Sequence, residues 1–315
     1  MPTVSVLLPA YNAGEYILEA MRSILSQTFS DFELLVLLDP SSDDTEEKVR
    51  SLSDNRIRIV ASTERRGLSG SLNRGISLAR GAYVARMDAD DISHPRRLAA
   101  QVRFLERRSD YIGCGTWMRI YGQRDLIRHE HDPDRLRARL LFDTQFAHPS
   151  VVIRTEYLKR QDLQYDERAK FGEDYDLWIR LIRLGKFTNI RMPLVRYRHH
   201  PRSLSVHNTY LEVQSLAALR RKALALIDLH PTNREMEAHC SLANAGISEP
   251  TVAREELLAW SRKVEDANET AGYASPRAMA SVLRERLWKI DSHHGMFPYL
   301  KHQALRIGQV YLSPR

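Results

Sequence analysis

The sequence predicts an α/β protein in which a mostly parallel sheet is flanked by helices and followed by a helical appendage. Over the first 90 residues, short apolar runs typical of buried strands alternate with segments whose apolar residues recur at helical spacing. This alternation favours a parallel sheet that is covered on both faces. Beyond about residue 205 the strand patterns stop, and Leu, Ala, Arg and Glu dominate. We therefore predict an α/β domain over residues 1–205 and a helical C-terminal region over 206–315.

The first strand, helix and strand are predicted within residues 4–38. Residues 4–8 form an apolar run that Pro9 ends, and residues 32–38 form a second run. Between the runs, apolar residues recur at helical spacing after Asn12, which can cap a helix with Glu15 as its partner.

Two more strands and two more helices complete this half of the sheet. Turn-forming residues at 39–44 lead into a short helix, and residues 56–60 alternate like a third strand. A helical stripe over 68–79 stops at Gly81, and residues 82–87 form a fourth strand. Further elements are predicted as a helix after Pro95, strands at 111–121 and 148–154, a helix within 171–184 and an extended segment at 195–199.

Composition excludes several classes of protein. Of the 315 residues, 43% are hydrophobic and 28% charged, which excludes collagen and disordered tails. The two cysteines, Cys114 and Cys240, allow neither a disulfide framework nor a Cys-x-x-Cys metal site. Residues 1–4 lack the layout of a signal peptide, and the longest apolar runs fall short of the roughly 18 residues of a membrane span. We expect a cytoplasmic protein of a reducing compartment.

The chain is strongly basic, with a net charge of +7 and 39 arginines among its 47 basic residues. Nucleic acid, an anionic membrane and a phosphate-bearing substrate are the candidate partners. The planar fork of arginine suits phosphate. Because the basic residues are interleaved with acids, however, the pattern favours an ordinary solvated surface, and no nucleic acid partner is expected.

An acidic cluster, Asp88-Ala89-Asp90-Asp91, follows the fourth strand. Three carboxylates so close together repel one another unless a cation or a basic group lies among them. Oxygen ligands suit Mg²⁺ or Mn²⁺, which could bridge the protein and a diphosphate. The alternative is a solvated acidic turn that caps the helix near Pro95.

Other candidate residues also follow predicted strands. Residues 9–12 and Asp39 lie at strand ends that should converge with the acidic cluster, because ligands of such sheets bind outside the carboxyl ends of the strands. Asp39 could accept a hydrogen bond from a nucleobase N–H, or it could be a turn former.

Two further candidates lie later in the chain. Glu173 and Asp174 begin a predicted helix, where a buried carboxylate could serve as a general base or where acids could simply favour the helix dipole. His199 and His200 could bind metal or phosphate, or could form an ordinary surface pair.

Several common catalytic motifs are missing. The segment 113–115 lacks the third glycine of a dinucleotide fingerprint, and no Gly-Lys-Ser/Thr follows the glycine-rich segment 67–71. Neither Gly-x-Ser-x-Gly nor His-Glu-x-x-His occurs. These absences argue against nicotinamide dehydrogenases, P-loop kinases, serine hydrolases and zinc proteases.

Five segments, in this order, resemble the family 2 glycosyltransferases of the GT-A fold. Residues 4–12 are similar to the family's opening strand and turn, 26–34 to its helix-to-strand link and 81–91 to its Asp-x-Asp segment. Residues 172–174 are similar to its Glu-Asp base motif, and 197–201 to its Tyr-Arg-x-His-Pro stretch. The resemblance covers about residues 3–205. Each motif is modest by itself, but their combination in this order is specific to the family.

The resemblance implies a Rossmann-like nucleotide-diphospho-sugar transferase that moves one sugar, with inversion, from a donor such as a UDP-sugar to a hydroxyl group of a glycan or lipid-linked glycan. It also implies a Mn²⁺ or Mg²⁺ cofactor. By the same resemblance, Asp174 is the base, and the metal ligands are Asp90, Asp88 and His200. The donor-binding residues would be Pro9, Ala10, Tyr11, Asn12, Asp39, Asp88 and Ala89.

The chain departs from the family pattern in two ways. Leu38-Asp39-Pro40 replaces the frequent Asp-Asp-Gly, which keeps the second acid and alters the turn. The Gln-x-x-Arg-Trp motif of processive synthases is absent, which favours transfer of a single sugar.

Other functions and contacts stay open at this point. A nucleotidyltransferase would usually need a Gly-rich basic loop after the first strand, whereas residues 9–14 have one glycine and no basic residue. A non-catalytic sugar-nucleotide-binding protein would not need Asp39, Asp90 and Asp174 together. Residues 301–315 carry three basic residues and no acid, so peripheral contact with the inner membrane face competes with simple packing on the catalytic domain. The oligomeric state is open.

Overall fold

The computed structural model describes residues 1–169, 171–199 and 209–293. Nine strands of this part of the chain form one sheet. The strands are β1 (Val4–Ala10), β2 (Phe32–Leu38), β3 (Ile57–Ala61), β4 (Tyr83–Arg86), β5 (Ile92–Ser93), β6 (Tyr111–Ile120), β7 (Leu126–Ile127), β8 (Val152–Arg154) and β9 (Lys186–Tyr197). The helices are α1 (Ile17–Leu25), α2 (Thr45–Ser51), α3 (Gly67–Leu78), α4 (Arg97–Arg107), α5 (Pro133–Leu140), α6 (Thr155–Leu158), α7 (Glu173–Leu181), α8 (Thr209–Leu224), α9 (Asn233–Ala243), α10 (Arg254–Ala271) and α11 (Pro276–His293).

The sheet has a parallel half and a mixed half. Its order is β3-β2-β1-β4-β8-β6-β9-β5, with β7 paired to β6. The first four strands are parallel, β8 is antiparallel to both β4 and β6, and β5 is antiparallel to β9. The predicted α/β fold with a sheet between helices is therefore confirmed, and its parallel character holds for the first half.

The strand register brings three strand ends to one edge of the sheet. Ala10 pairs with Leu38, and Leu7 pairs with Arg86. The backbone N–H of Asp39 donates to the carbonyl of Ala10 at 3.1 Å. The residues that follow β1, β2 and β4 consequently share this carboxyl edge, as the sequence predicts.

Alternating strand residues build a core on each face of the sheet. Val6 and Leu8 pack with Ile17 and Leu98 beneath α1 and α4. Leu7 points to the opposite face and joins the apolar cluster that contains residues of α3, α7 and the C-terminal helices. This division follows from the period of two in a strand.

Sequence reasoning misplaced some elements of the mixed half. The strand predicted at 148–154 is a 3₁₀ turn over His148–Ser150 followed by β8. Pro149 has no N–H to donate to a ladder, and the N–H of Ser150 bonds to Ala147 O at 2.9 Å instead. The segment predicted as extended at 195–199 begins much earlier, as β9 at Lys186.

The C-terminal helices pack against the same core as the sheet. Buried residues of α8, α9, α10 and α11 belong to the apolar cluster that also contains Leu7. The buried Arg286 pairs with the buried Asp143 at 2.6 Å, and His239 Nε2 lies 3.0 Å from Leu141 O. The boundary between 205 and 206 lies outside the described residues and stays a prediction.

None of the described helices has the length and apolar character needed to cross a membrane. The basic tail at 301–315 lies outside the described residues. Membrane contact through that tail therefore stays a prediction.

Candidate active site

The ends of β1 and β2 are joined by side chain to backbone hydrogen bonds. Asn12 adopts a left-handed backbone with φ of 47°, and its Oδ1 accepts from the N–H of Ser42 at 2.8 Å. The neighbouring Tyr11 is 42% exposed, and the Arg65 guanidinium lies 4.1 Å from its ring centroid. Pro9 and Ala10 are the last residues of β1, and the Ala10 side chain is buried in the apolar core. Of the four residues predicted to bind the nucleotide, Tyr11 therefore offers the accessible aromatic side chain.

Asp39 anchors the start of α3. One carboxylate oxygen accepts from the N–H groups of Arg66 and Gly67 at 3.0 and 2.9 Å, and the other accepts from Ser71 Oγ at 3.1 Å. A carboxylate beside the first N–H groups of a helix is favoured by the helix dipole. A carboxylate has about four acceptor positions, so three internal donors leave room for about one more.

The predicted acidic cluster is compact, and one buried oxygen of Asp91 has no donor among the described residues. One ligand oxygen from each of Asp88, Asp90 and Asp91 lies within 4.8 Å of the others. Asp91 is fully buried, and its Oδ1 accepts from the N–H of Arg198 at 2.8 Å. Its Oδ2 is also buried, and no described residue donates to it. Burying a carboxylate oxygen without a partner is costly, so this oxygen fits a cation ligand. Ala89 packs its side chain into the apolar core.

Arg86 is the basic group that lies among these acids. It is 4% exposed and forms an ion pair with Asp88. Burial raises the pKa of Asp88 to about 6, with the Arg86 guanidinium acting against this rise and the Asp90 carboxylate adding to it. Burial and the two neighbouring carboxylates raise the pKa of Asp91 well above its ordinary value. Asp88 and Asp91 therefore bind protons more readily than ordinary aspartates do.

Arg198 holds the acidic loop from the other side. Its Nε donates to Asp90 O at 3.0 Å, and one terminal nitrogen contacts Glu19 of α1 at 2.6 Å. The guanidinium also lies 4.1 Å from the Tyr121 ring centroid. The end of β9 thus fixes the position of the loop. Sequence reasoning quoted Arg198 within a motif but assigned it no role.

Asp174 lies in the first turn of α7, which directly follows Gly172. Gly172 has φ of 73°, and a Cβ at this position would lie 2.5 Å from Leu219 Cδ1. Asp174 Oδ1 accepts from the N–H of Tyr175 at 2.6 Å. Burial, followed by the neighbouring Glu173 carboxylate, raises the pKa of Asp174 to about 7. A carboxyl group with this pKa can take up a proton near neutral pH.

A buried histidine, bonded to a buried tyrosine, lies close to Glu173. His148 Nδ1 lies 3.8 Å from Glu173 Oε1, and its Nε2 lies 2.8 Å from the hydroxyl of Tyr165. Burial, and then the Arg86 guanidinium, lower the pKa of His148 well below its ordinary value. The imidazole is therefore neutral, bonded to Tyr165 and near the Glu173 carboxylate without a hydrogen bond to it. Sequence reasoning missed both His148 and Tyr165, which no local pattern marks.

Electrostatic contacts connect the acidic loop with the start of α7. The Glu173 carboxylate contributes to the raised pKa of Asp88, and the Arg86 guanidinium acts on both Asp88 and Asp174. The structure therefore brings the predicted metal ligands and the predicted base into one electrostatic cluster around Arg86. His200, the third predicted metal ligand, lies outside the described residues.

The comparisons with known proteins identify the family. Residues 5–171 match the family described as Glycosyl transferase family 2. The uncharacterized glycosyltransferase MJ1057 of Methanocaldococcus jannaschii is 33% identical over 207 residues, which cover 62% of this chain and 71% of the relative. This chain therefore belongs to glycosyl transferase family 2, as its motifs predict.

A second relative and two solved structures extend the comparison. The Escherichia coli UDP-Glc:alpha-D-GlcNAc-diphosphoundecaprenol beta-1,3-glucosyltransferase WfaP is 26% identical over 211 residues, which cover 66% of this chain and 81% of WfaP. TarS 1–349 of S. aureus, solved with UDP-GlcNAc, has a TM-score of 0.64 and 17% identity, and the match covers 93% of this chain and 92% of TarS. The mannosyltransferase PcManGT of Pyrobaculum calidifontis, solved with GDP-Man and Mn²⁺, has a TM-score of 0.56 and 17% identity and covers 93% and 87%. These likenesses confirm the predicted GT-A fold.

Proposed function

We propose that this glycosyltransferase moves one sugar, with inversion and with the help of a divalent metal, from a nucleotide-diphosphate sugar to an acceptor hydroxyl group. The observation that carries the proposal is the cluster of Asp88, Asp90, Asp91 and Asp174 around the buried Arg86. This cluster lies at the carboxyl edge of the sheet, where open α/β sheets bind their ligands.

Asp88, Asp90 and Asp91 would hold the metal, and His200 is a further proposed ligand. A bound Mn²⁺ or Mg²⁺ would neutralise the charge that develops on the departing diphosphate. The buried Asp91 Oδ2 supports this assignment, because no described residue donates to it. PcManGT, whose fold is similar, was solved with Mn²⁺.

Asp174 would act as the general base. Its carboxylate takes the proton of the acceptor hydroxyl, and the oxygen attacks the anomeric carbon from the face opposite the diphosphate. The bond between the anomeric carbon and the diphosphate oxygen breaks, and the nucleoside diphosphate leaves with that electron pair. One displacement inverts the anomeric configuration, as in inverting glycosidases. A pKa near 7 suits this proton transfer.

We infer that the donor is a UDP-sugar, because TarS, which is similar in fold, was solved with UDP-GlcNAc. Asp39 has about one acceptor position left for a base N–H, and Tyr11 offers an exposed ring beside it. The transferred sugar would be a hexose or an N-acetylhexosamine.

For the acceptor we propose a glycan or lipid-linked glycan in cell-surface polysaccharide synthesis. The support is the relative WfaP, whose name specifies a diphosphoundecaprenol-linked acceptor. The catalytic part would comprise residues 1–205, and the helical region 206–315 would complete its apolar core.

A thermal-shift panel of sugar nucleotides tests the donor assignment. A UDP-sugar with Mn²⁺ should stabilise the protein by mass action, and EDTA should abolish the shift. Asp90→Ala should lose the shift, whereas the exposed Asp266→Ala should keep it. Product analysis then separates the alternatives. A glycosyltransferase releases UDP from a UDP-sugar and an acceptor, a nucleotidyltransferase releases pyrophosphate from UTP and a sugar 1-phosphate, and a non-catalytic binding protein releases neither.

A further inference from the structure

A pocket between β5, β6 and β9 combines an apolar floor with basic side chains at its walls. Its volume is about 290 Å³, and its polar walls are His94, Arg96, Arg119 and Arg196. The apolar floor is formed by Met192, Pro193 and Leu194.

The strand register places two of these cations side by side. Arg119 of β6 pairs with Arg196 of β9. Like charges on facing residues of neighbouring strands repel each other. Within the described part of the chain, no carboxylate forms an ion pair with Arg96, Arg119 or Arg196. Arg119 donates to the carbonyl of Arg124 at 2.8 Å, but no described carboxylate compensates the charge of the pair.

Other basic groups surround the same surface. Burial, followed by the guanidinium groups of Arg96 and Arg196, lowers the pKa of His94. Trp117, which pairs with Pro193 of the pocket floor, has the guanidinium groups of Arg128 and Arg191 at 5.6 and 5.8 Å from its ring centroid. Two further cations therefore lie near the strand residues that form the pocket floor.

We propose that this pocket binds a phosphate or diphosphate group. Converging guanidinium groups donate paired hydrogen bonds to phosphate oxygens, and a dianion would remove the repulsion between Arg119 and Arg196. The apolar floor would accept the carbon-bearing part of the same ligand. The proposal does not depend on the proposed donor site.

Calorimetry with inorganic pyrophosphate in EDTA tests the pocket without metal at the acidic cluster. Wild type should bind, and Arg119→Gln/Arg196→Gln should bind at least about tenfold more weakly, because two charged donors are lost. Arg262→Gln/Arg284→Gln removes the same charge from exposed positions of α10 and α11 and should bind like wild type. Equal pyrophosphate affinity of the two double variants overturns the proposal.

Vesicle sedimentation separates the two sources of such a phosphate. If only the pocket variant loses pelleting with phosphatidylglycerol vesicles, relative to phosphatidylcholine vesicles, the ligand is a lipid headgroup. If its pelleting is unchanged while pyrophosphate binding is lost, the ligand is a soluble phosphate compound. If wild type binds neither pyrophosphate nor the phosphatidylglycerol vesicles, the proposal is overturned.

Titration with UDP and Mn²⁺ provides the folding control. The pocket variant should keep the Mn²⁺-dependent part of UDP binding, since its substitutions lie outside the acidic cluster. Failure of wild type to bind UDP would count against the proposed donor and would leave the pyrophosphate result standing.

Discussion

The carboxylate of Asp91 accepts the backbone N–H of Arg198 at 2.8 Å, across 107 positions of sequence. This bond joins the loop after β4 to the end of β9, and the Arg198 side chain strengthens the junction through Asp90 O and Glu19. The acidic loop is therefore held in place before any cation binds.

Arg198→Ala should weaken metal-dependent UDP binding by about 10–100-fold, the usual effect of removing a group that orients metal ligands. The backbone bond to Asp91 remains, so the protein should still fold. Calorimetry with UDP, with and without Mn²⁺, measures the effect, and exposed Arg183→Ala is the control. If UDP binding depends on Mn²⁺ equally in wild type and in Arg198→Ala, then Arg198 does not position the metal ligands.

Asp174→Asn should lower kcat by about 10²–10⁴-fold while UDP affinity stays within error, because a general base acts only on the acceptor proton. Turnover is followed by UDP release, and Asp266→Asn serves as the matched surface control. Parallel losses of turnover and UDP binding would contradict the assignment of Asp174 as the base.

The same substitution should change stability. The folded-state pKa of Asp174 is raised to about 7 from 3.8, so ionising this group costs folding free energy progressively between these values. At pH 8 the carboxylate is charged, and the neutral Asn should raise the melting temperature. At pH 4 the difference between wild type and variant should nearly vanish. Thermal unfolding at both pH values checks this sign.

The pH profile of the reaction should report the same group. Below its pKa the Asp174 carboxyl group carries a proton and cannot accept another, so kcat/KM should rise with pH through about 7 and then level off. Rates measured with saturating Mn²⁺ from pH 5 to pH 9 test this, with roughly tenfold loss per pH unit on the acid side. A profile that stays flat through this range would exclude Asp174 as the titrating base.

Arg86→Met should destabilise the protein by roughly 3–5 kcal/mol, since it leaves the Asp88 carboxylate without its buried partner. The double variant Arg86→Met/Asp88→Asn should recover part of this loss, because the unpaired charge is removed. Urea unfolding of the four proteins of this cycle gives the coupling energy. Additive losses would show that the ion pair contributes little.

Asp39→Ala should lower stability by about 0.5–2 kcal/mol even without nucleotide, because the first N–H groups of α3 lose their acceptor. Urea unfolding with Asp266→Ala as the control measures this loss. If Asp39 also contacts the base, as proposed, folded Asp39→Ala will bind UDP more weakly than wild type does. The lower stability alone would not cause that loss of affinity.

The acidic loop and the proposed base could be predicted from the sequence, because each lies beside a segment with clear strand or helix periodicity. Asp88 and Asp90 follow a short apolar run, and Asp174 precedes a helical stripe, so strand and helix periodicity place both features. Arg86 gave no such signal, since one basic residue in a short strand is compatible with an exposed position. Its charge acts on His148, Tyr165 and Asp174, which lie far along the chain and become its neighbours only in the fold.

What the sequence alone determined is the α/β order of the first half, the family and the candidate carboxylates, because these depend on neighbours along the chain. Only the tertiary structure decided that Arg86 lies among those carboxylates, that Arg198 fixes their loop and that Arg119 faces Arg196. These relationships depend on which strands become neighbours in the mixed half of the sheet. That choice is made by packing between residues far apart in sequence, which periodicity does not encode.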